Sequence, residues 1–319
     1  MRRRAAAAHA YRDNNLLRDG YRSRKAVPGR SSHQIWQGAP MEYSPTVRGR
    51  RLMRELTRLR QAQGLALDDA ASRLDFSKSK MYRIENGHTR ITTDDLEDML
   101  DLYGVRPPRR EALIQLCRDA RKRGWWTAYT DVFTGSYIGF EAEAASIRIN
   151  ANIVPGLFQT EGYAREVISR TGLRLDKEDA ERKVVARIAR QDALLGRDDG
   201  PEIHVVLDEA ALHRQVGGRE TTRRQLAALA DASTRPNVTF QVLSFDAGAS
   251  AGMDGKFSIL TFPDPEDTPI AYAEGLMGDV YLESEEELDL YNLAWTGLVT
   301  DALSPGDSTE IISKLAKEN

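Results

Sequence analysis

Gly64, Gly87 and Gly104 punctuate the chain between Pro45 and Gly104 into short helical segments. In the first, Leu52, Leu56 and Leu59 recur at i, i+4 and i+7 and share one face, while Arg50, Arg51, Arg54 and Arg58 occupy the others. Gly64 stops this helix. A second runs from Leu67 to Leu74, with Asp68 and Asp69 at its positive end. Asp75-Phe76 makes a tight connection, and Ser77 then caps a third helix, Lys78 to Asn86, closed by Gly87. Thr92 or Thr93 caps a fourth, whose stripe is Leu96, Met99, Leu100 and Tyr103. Pro107-Pro108 opens a fifth, with Leu113, Leu116, Cys117 and Ala120 inward. Such a segment can only be an all-α unit.

Two helices joined by a tight turn, the second capped and basic, fit a DNA-reading helix-turn-helix. Lys78, Ser79 and Lys80 lie in the first turn of that second helix and Arg83 one turn later, with Met81 and Ile84 turned inward. A major groove about 12 Å wide admits an α-helix, whose exposed N-terminal residues reach base edges.

The runs Leu59-Arg60-Gln61-Ala62-Gln63-Gly64-Leu65, Ala70-Ala71-Ser72-Arg73-Leu74 and Ser77 to Gly87 resemble the XRE family of λ-repressor/Cro-type five-helix domains. The resemblance implies base-reading positions for Lys78, Ser79 and Arg83, and guanine-containing half-sites because Lys and Arg suit guanine O6/N7. It implies backbone contacts for Lys80, Tyr82 and Arg90, and a partly buried ion pair between Arg60 and Glu85 that belongs to the scaffold. Two departures stand out. Ala66 and Leu67 occupy the start of the second helix, where the family often has Ser or Thr followed by a polar residue, which leaves only backbone N–H groups to face a phosphate there. Asp75 replaces a turn glycine, and Asp tolerates the left-handed conformation better than most residues.

Charge divides the chain as sharply. Residues 1–123 hold 27 Lys+Arg and 15 Asp+Glu, residues 124–319 hold 18 and 33, and the total is −3. An asymmetry of this size predicts a polyanionic partner for the basic half. With 319 residues and 41% hydrophobic content, one to three domains with a real core are expected. Residues 1–44, rich in arginine and without periodicity, read as a basic disordered tail, and Met41 as an alternative start. No apolar run reaches a membrane span or a secretory core, and the single Cys117 excludes an intramolecular disulfide. A cytoplasmic protein is expected.

Beyond Arg123 the pattern is mixed. Strands are expected at Ile203–Leu207, Val238–Leu243, Lys256–Phe262, Ile270–Ala273 and Val280–Leu282. Helices are expected at Gly162–Arg170, Glu178–Leu195 (Val184, Val185, Ile188 and Leu195 on one side), Glu220–Ala232, Glu283–Ala302 and Thr309–Lys317. The helix between the first two strands makes a β-α-β unit with a parallel pair. The aromatics Trp125, Trp126, Tyr129, Phe133, Tyr137 and Phe140 read as a domain-linking core rather than a pocket, and the acidic run Glu283, Glu285, Glu286 and Glu287 as a solvated helix start.

Val154-Pro155-Gly156-Leu157-Phe158-Gln159-Thr160 with Tyr163-Ala164, Arg187-Ile188-Ala189-Arg190-Gln191 and Val206 to Leu212 resemble actinobacterial WhiJ-like regulators. The resemblance implies a transcriptional regulator, often a repressor, with a small partner protein encoded nearby and an antitoxin-like character. Catalytic alternatives are weak. Gly248-Ala249-Ser250-Ala251-Gly252 matches a nucleophile-elbow pattern, but a strand follows it and no histidine lies beyond His213. His204, His213, Asp208 and Glu209 lack metal-site spacing, and the two carboxylates read as helix caps.

The expected architecture is thus a five-helix domain at 45–123 followed by an acidic α+β domain with a mixed sheet at 124–319. The expected function is sequence-specific binding of double-stranded DNA by a homodimer. A partner protein or small-molecule effector acting on the C-terminal domain controls it, without enzyme activity, cofactor, metal or membrane. An antitoxin-like protein that neutralises a partner and autoregulates through DNA is the alternative.

Overall fold

A computed structural model describes residues 46–121, 124–129, 132, 137–173, 175–275 and 278–318. The proposed tail at 1–44, Met41 and Phe133 lie outside the described residues, as does the side chain of Trp126.

The N-terminal region is helical: α1 (Val47–Ala62), α2 (Leu67–Arg73), α3 (Lys78–Glu85), α4 (Thr93–Leu102) and α5 (Arg109–Asp119). Each start has a local cause. The hydroxyls of Thr46, Ser77 and Thr92 accept from the backbone N–H of Gly49, Lys80 and Asp95 respectively, each satisfying one orphan donor. α2 has Ala66 at its N-cap position and so no side-chain cap. Leu52, Leu56, Met81, Ile84, Leu96 and Met99 meet in the core, each at most 1% exposed. Burying a side chain of this size contributes about 1.5–3 kcal/mol.

The turn between α2 and α3 closes through Phe76 N–H to Ala71 O at 2.9 Å. It holds Asp75 at φ +54, alone among the described non-glycine residues in having positive φ. Left-handed backbone costs an L-residue energy that glycine does not incur. Asp75→Gly is therefore expected to raise stability by about 0.5 kcal/mol, the relief being partly offset by a more flexible unfolded chain. A urea midpoint that falls would contradict this account of the turn.

The C-terminal domain runs α6 (Tyr137–Glu143), β1 (Ser146–Ala151), α7 (Glu161–Thr171), α8 (Lys177–Leu195), β2 (Glu202–Asp208), α9 (Ala210–His213), α10 (Arg219–Ala232) and β3 (Val238–Leu243). It continues through β4 (Phe257–Thr261), β5 (Ile270–Gly275), β6 (Gly278–Leu282), α11 (Glu285–Asp301) and α12 (Pro305–Glu318). Six described strands form one mixed sheet in the order β3-β2-β1-β4-β5-β6. β1, β2 and β3 are mutually parallel, as the β-α-β pattern predicts, and β4 to β6 form an antiparallel meander on the other side of β1.

The central strand β1 escaped the sequence reading. Ile147, Ile149 and Ala151 join Val205, Leu207, Leu226 and Ile312 on one face. On the other, Arg148 Nη1 donates to Asn292 Oδ1 at 3.1 Å and Asn150 Nδ2 to the carbonyl of Gly255 at 2.9 Å. Buried central strands usually read as continuous apolar runs, and these two polar residues hide this one. Trp295 and Leu298 of α11 close that face over Val206 and Ile259. One detail of α8 also differs from expectation: Val184, Ala186 and Leu194 are buried, whereas Val185 is 53% exposed.

α1 seats the helical region on this domain. Val47 packs with Phe140, Leu260, Phe262 and Ile270. Arg50 pairs with Glu283, and its guanidinium stands 4.8 Å from the Phe140 ring centroid. Arg51 pairs with Asp264 and Glu266, Arg54 donates to the carbonyl of Glu266 at 3.2 Å, and Arg48 lies 3.5 Å from Glu143. Glu283 is therefore a docking residue rather than part of a solvated helix start; Ser284 and Glu287 form the capping box of α11. Phe140 is fully buried, and Tyr137 packs against its cluster with its ring 4.2 Å from that of Tyr272 and tilted by 32°, so these two aromatics belong to core.

Candidate nucleic-acid interface

The helical period alone sorts the residues of α3. Met81 and Ile84 face the core, and Lys78, Ser79, Tyr82, Arg83 and Asn86 are exposed. Ser77 fixes the first turn, so Lys78, Ser79 and Lys80 stand at the presented end. The proposed base-reading residues Lys78, Ser79 and Arg83 thus share one solvent-facing surface.

They differ in what holds them. Lys78 Nζ bonds the carboxylate of Asp68 in the first turn of α2. Lys80 is held more tightly: its ammonium lies 2.7 Å from Asp95 Oδ1 and 3.6 Å above the Phe76 ring. Such a cation has much of its attraction already satisfied within the fold. Arg83 forms an ion pair with no described residue. Tyr82 is 49% exposed and stacks with His88 at 5.9 Å, and Arg90 is exposed in the loop before α4.

Arg60 stands apart from this surface. Its Nε donates to Glu85 Oε1 at 2.7 Å, its Nη2 to Oε2 at 2.8 Å and its Nη1 to the carbonyl of Leu65 at 2.7 Å. The two side chains are 10% and 5% exposed. This bidentate pair ties the end of α1 to the end of α3.

Charge is distributed unexpectedly. Residues 67–102, which include the whole α2-turn-α3 unit, carry five basic and nine acidic residues. The cationic excess of the first half lies instead before and after this unit, and α1 directs Arg48, Arg50 and Arg51 at acids of the C-terminal domain. The charge asymmetry read from the sequence thus includes an internal partner: the chain's own acidic half.

Residues 51–113 match the family described as helix-turn-helix domain. Residues 134–314, more than half of the chain, match the family described as domain of unknown function DUF5753. The chain belongs to the DUF5753 family. No curated protein and no solved structure matches it. The helix-turn-helix match supports a DNA-binding regulator, and no helix among the described residues is long and apolar enough to cross a membrane.

Within the DUF5753 domain the other chemical candidates have structural partners. Asp208 Oδ1 accepts from Ala210 N–H at 2.8 Å, and Glu209 accepts from Phe245 N–H at 2.8 Å and lies 3.2 Å from His213. His204 Nε2 is 2.8 Å from Gln241 Oε1 and its ring meets Trp295 edge to face; burial lowers its pKa. Ser250 caps a single 3-10 turn, Ala251–Asp254, ahead of β4. Among the described residues no three His, Cys, Asp or Glu side chains gather as a metal site.

Proposed function

We propose that this DUF5753 protein is a sequence-specific transcriptional regulator of the XRE, WhiJ-like type, acting as a cytoplasmic repressor. It binds double-stranded DNA as a homodimer, with half-sites about one helical turn apart. The observation that carries this is α3 itself: a capped helix with Met81 and Ile84 buried and Lys78, Ser79 and Arg83 turned outward. Lys78 and Arg83 offer donors to guanine O6/N7, and Ser79 can bond several base edges. Tyr82, Arg90 and Lys80 flank them as backbone contacts, Lys80 in exchange for its bond to Asp95. The C-terminal domain has no catalytic part in this scheme; a small partner protein or ligand sets the DNA-competent population by differential affinity.

Lys78→Ala or Arg83→Ala is expected to cost about 1–3 kcal/mol at the cognate site and to relax specificity at one base position. Anisotropy titrations against cognate and random duplexes check this. Equal loss on both would demote the residue to a phosphate contact.

Leu290 and Leu293 of α11, 65% and 71% exposed beside Glu286 and Asp289, favour a second role. An antitoxin-like protein would hold its partner on such a surface and use DNA binding for autoregulation. A stable complex with the neighbouring gene's product, lost in Leu290→Lys, is the expected sign.

A further inference from the structure

A reading helix that relied on phosphate attraction would sit in a basic neighbourhood. α3 does not: five basic residues meet nine acidic ones between 67 and 102, and Lys78 is bonded to Asp68. Asp68 lies in the first turn of α2, where the helix dipole favours a carboxylate. Both side chains are well exposed, 73% for Lys78 and 56% for Asp68, so the pair stands at the surface that a duplex would approach.

An ammonium has three donors and can keep one on a carboxylate while offering two to other acceptors. Guanine O6 and N7 are neutral acceptors that do not repel the Asp68 carboxylate. A phosphate carries a full negative charge and does repel it, at any separation within a Debye length of about 8–10 Å. We infer that Asp68 is a specificity-determining positioning residue: by holding Lys78 it steers that lysine away from phosphates and toward base edges. This rests on the DNA-reading role proposed above. Asp68 lowers affinity for arbitrary duplexes while the cognate contact survives.

The test uses the full-length protein with Asp68→Asn, Lys78→Ala and the double variant. Its probes are a duplex selected by the wild type from a random pool and a random-sequence duplex of the same length, titrated by anisotropy over a KCl series. Asp68→Asn is expected to raise random-duplex affinity about threefold, the scale of one exposed ion pair. Its salt dependence should steepen by about one unit of log–log slope, as one more phosphate is neutralised. Affinity for the selected duplex rises less, so the ratio narrows, and the gain vanishes in the Lys78→Ala background. Unchanged random-duplex affinity, an equal gain on both duplexes, or a gain that persists without Lys78 would overturn the role of Asp68. A wild type that enriches no duplex would instead overturn DNA reading itself.

Discussion

Glu85→Ala is expected to destabilise the helical region by about 3–5 kcal/mol, the usual cost of stranding one member of a buried ion pair. Arg60 would keep its bond to the Leu65 carbonyl and lose both bonds to the carboxylate, in a site where its side chain is only 10% exposed. The loss falls where α1 meets the end of α3, so DNA affinity should drop with stability. Circular dichroism melting at the helical band checks the first effect, and duplex titration below the melting range the second. The double replacement Arg60→Met with Glu85→Leu should recover much of the stability, because an apolar pair leaves no charge unpaired. An unchanged melting curve for Glu85→Ala would show that the pair contributes little.

Arg190→Ala is expected to act on a similar scale, about 3–5 kcal/mol, in the C-terminal domain. The Glu141 carboxylate is fully buried and takes two bonds from Arg190, Nε at 2.6 Å and Nη2 at 2.5 Å. The guanidinium also stands 5.4 Å from the Tyr137 ring centroid, where burial pushes the phenol's pKa upward. Without the arginine, Glu141 must find a proton or drag α6 toward water. Trp295, on the buried face of α11, reports unfolding of this domain by fluorescence. Because Phe140 adjoins Glu141 and packs on Val47, the variant should also loosen the seat of α1. A urea midpoint equal to wild type would refute the assignment.

What the sequence disclosed was mostly local. Ser77 and Thr92 cap helices because hydroxyl and N–H lie three residues apart, and Asp75 takes positive φ at the single turn where a glycine was missing. The parallel pairing of β2 and β3 followed from one helix-length connection. What stayed hidden was non-local or chemically disguised. Arg148 and Asn150 satisfy their polarity against Asn292 and Gly255, more than a hundred residues away, so β1 lacks the appearance of a central strand. The destination of the α1 arginines was equally out of reach, since Asp264, Glu266 and Glu283 lie over two hundred residues downstream. On α3, residue spacing identified the outward positions, but not the carboxylates that hold Lys78 and Lys80.

α1 belongs to both halves at once. Its 16 residues form a continuous rod about 24 Å long. The forward end is clamped by Glu283, Asp264 and Glu266, and the far end is bolted through Arg60 to the tail of α3. A stiff girder fixed at two points passes any rocking of the sheet edge to the far bolt with little slack, leaving no flexible joint within the rod to absorb it.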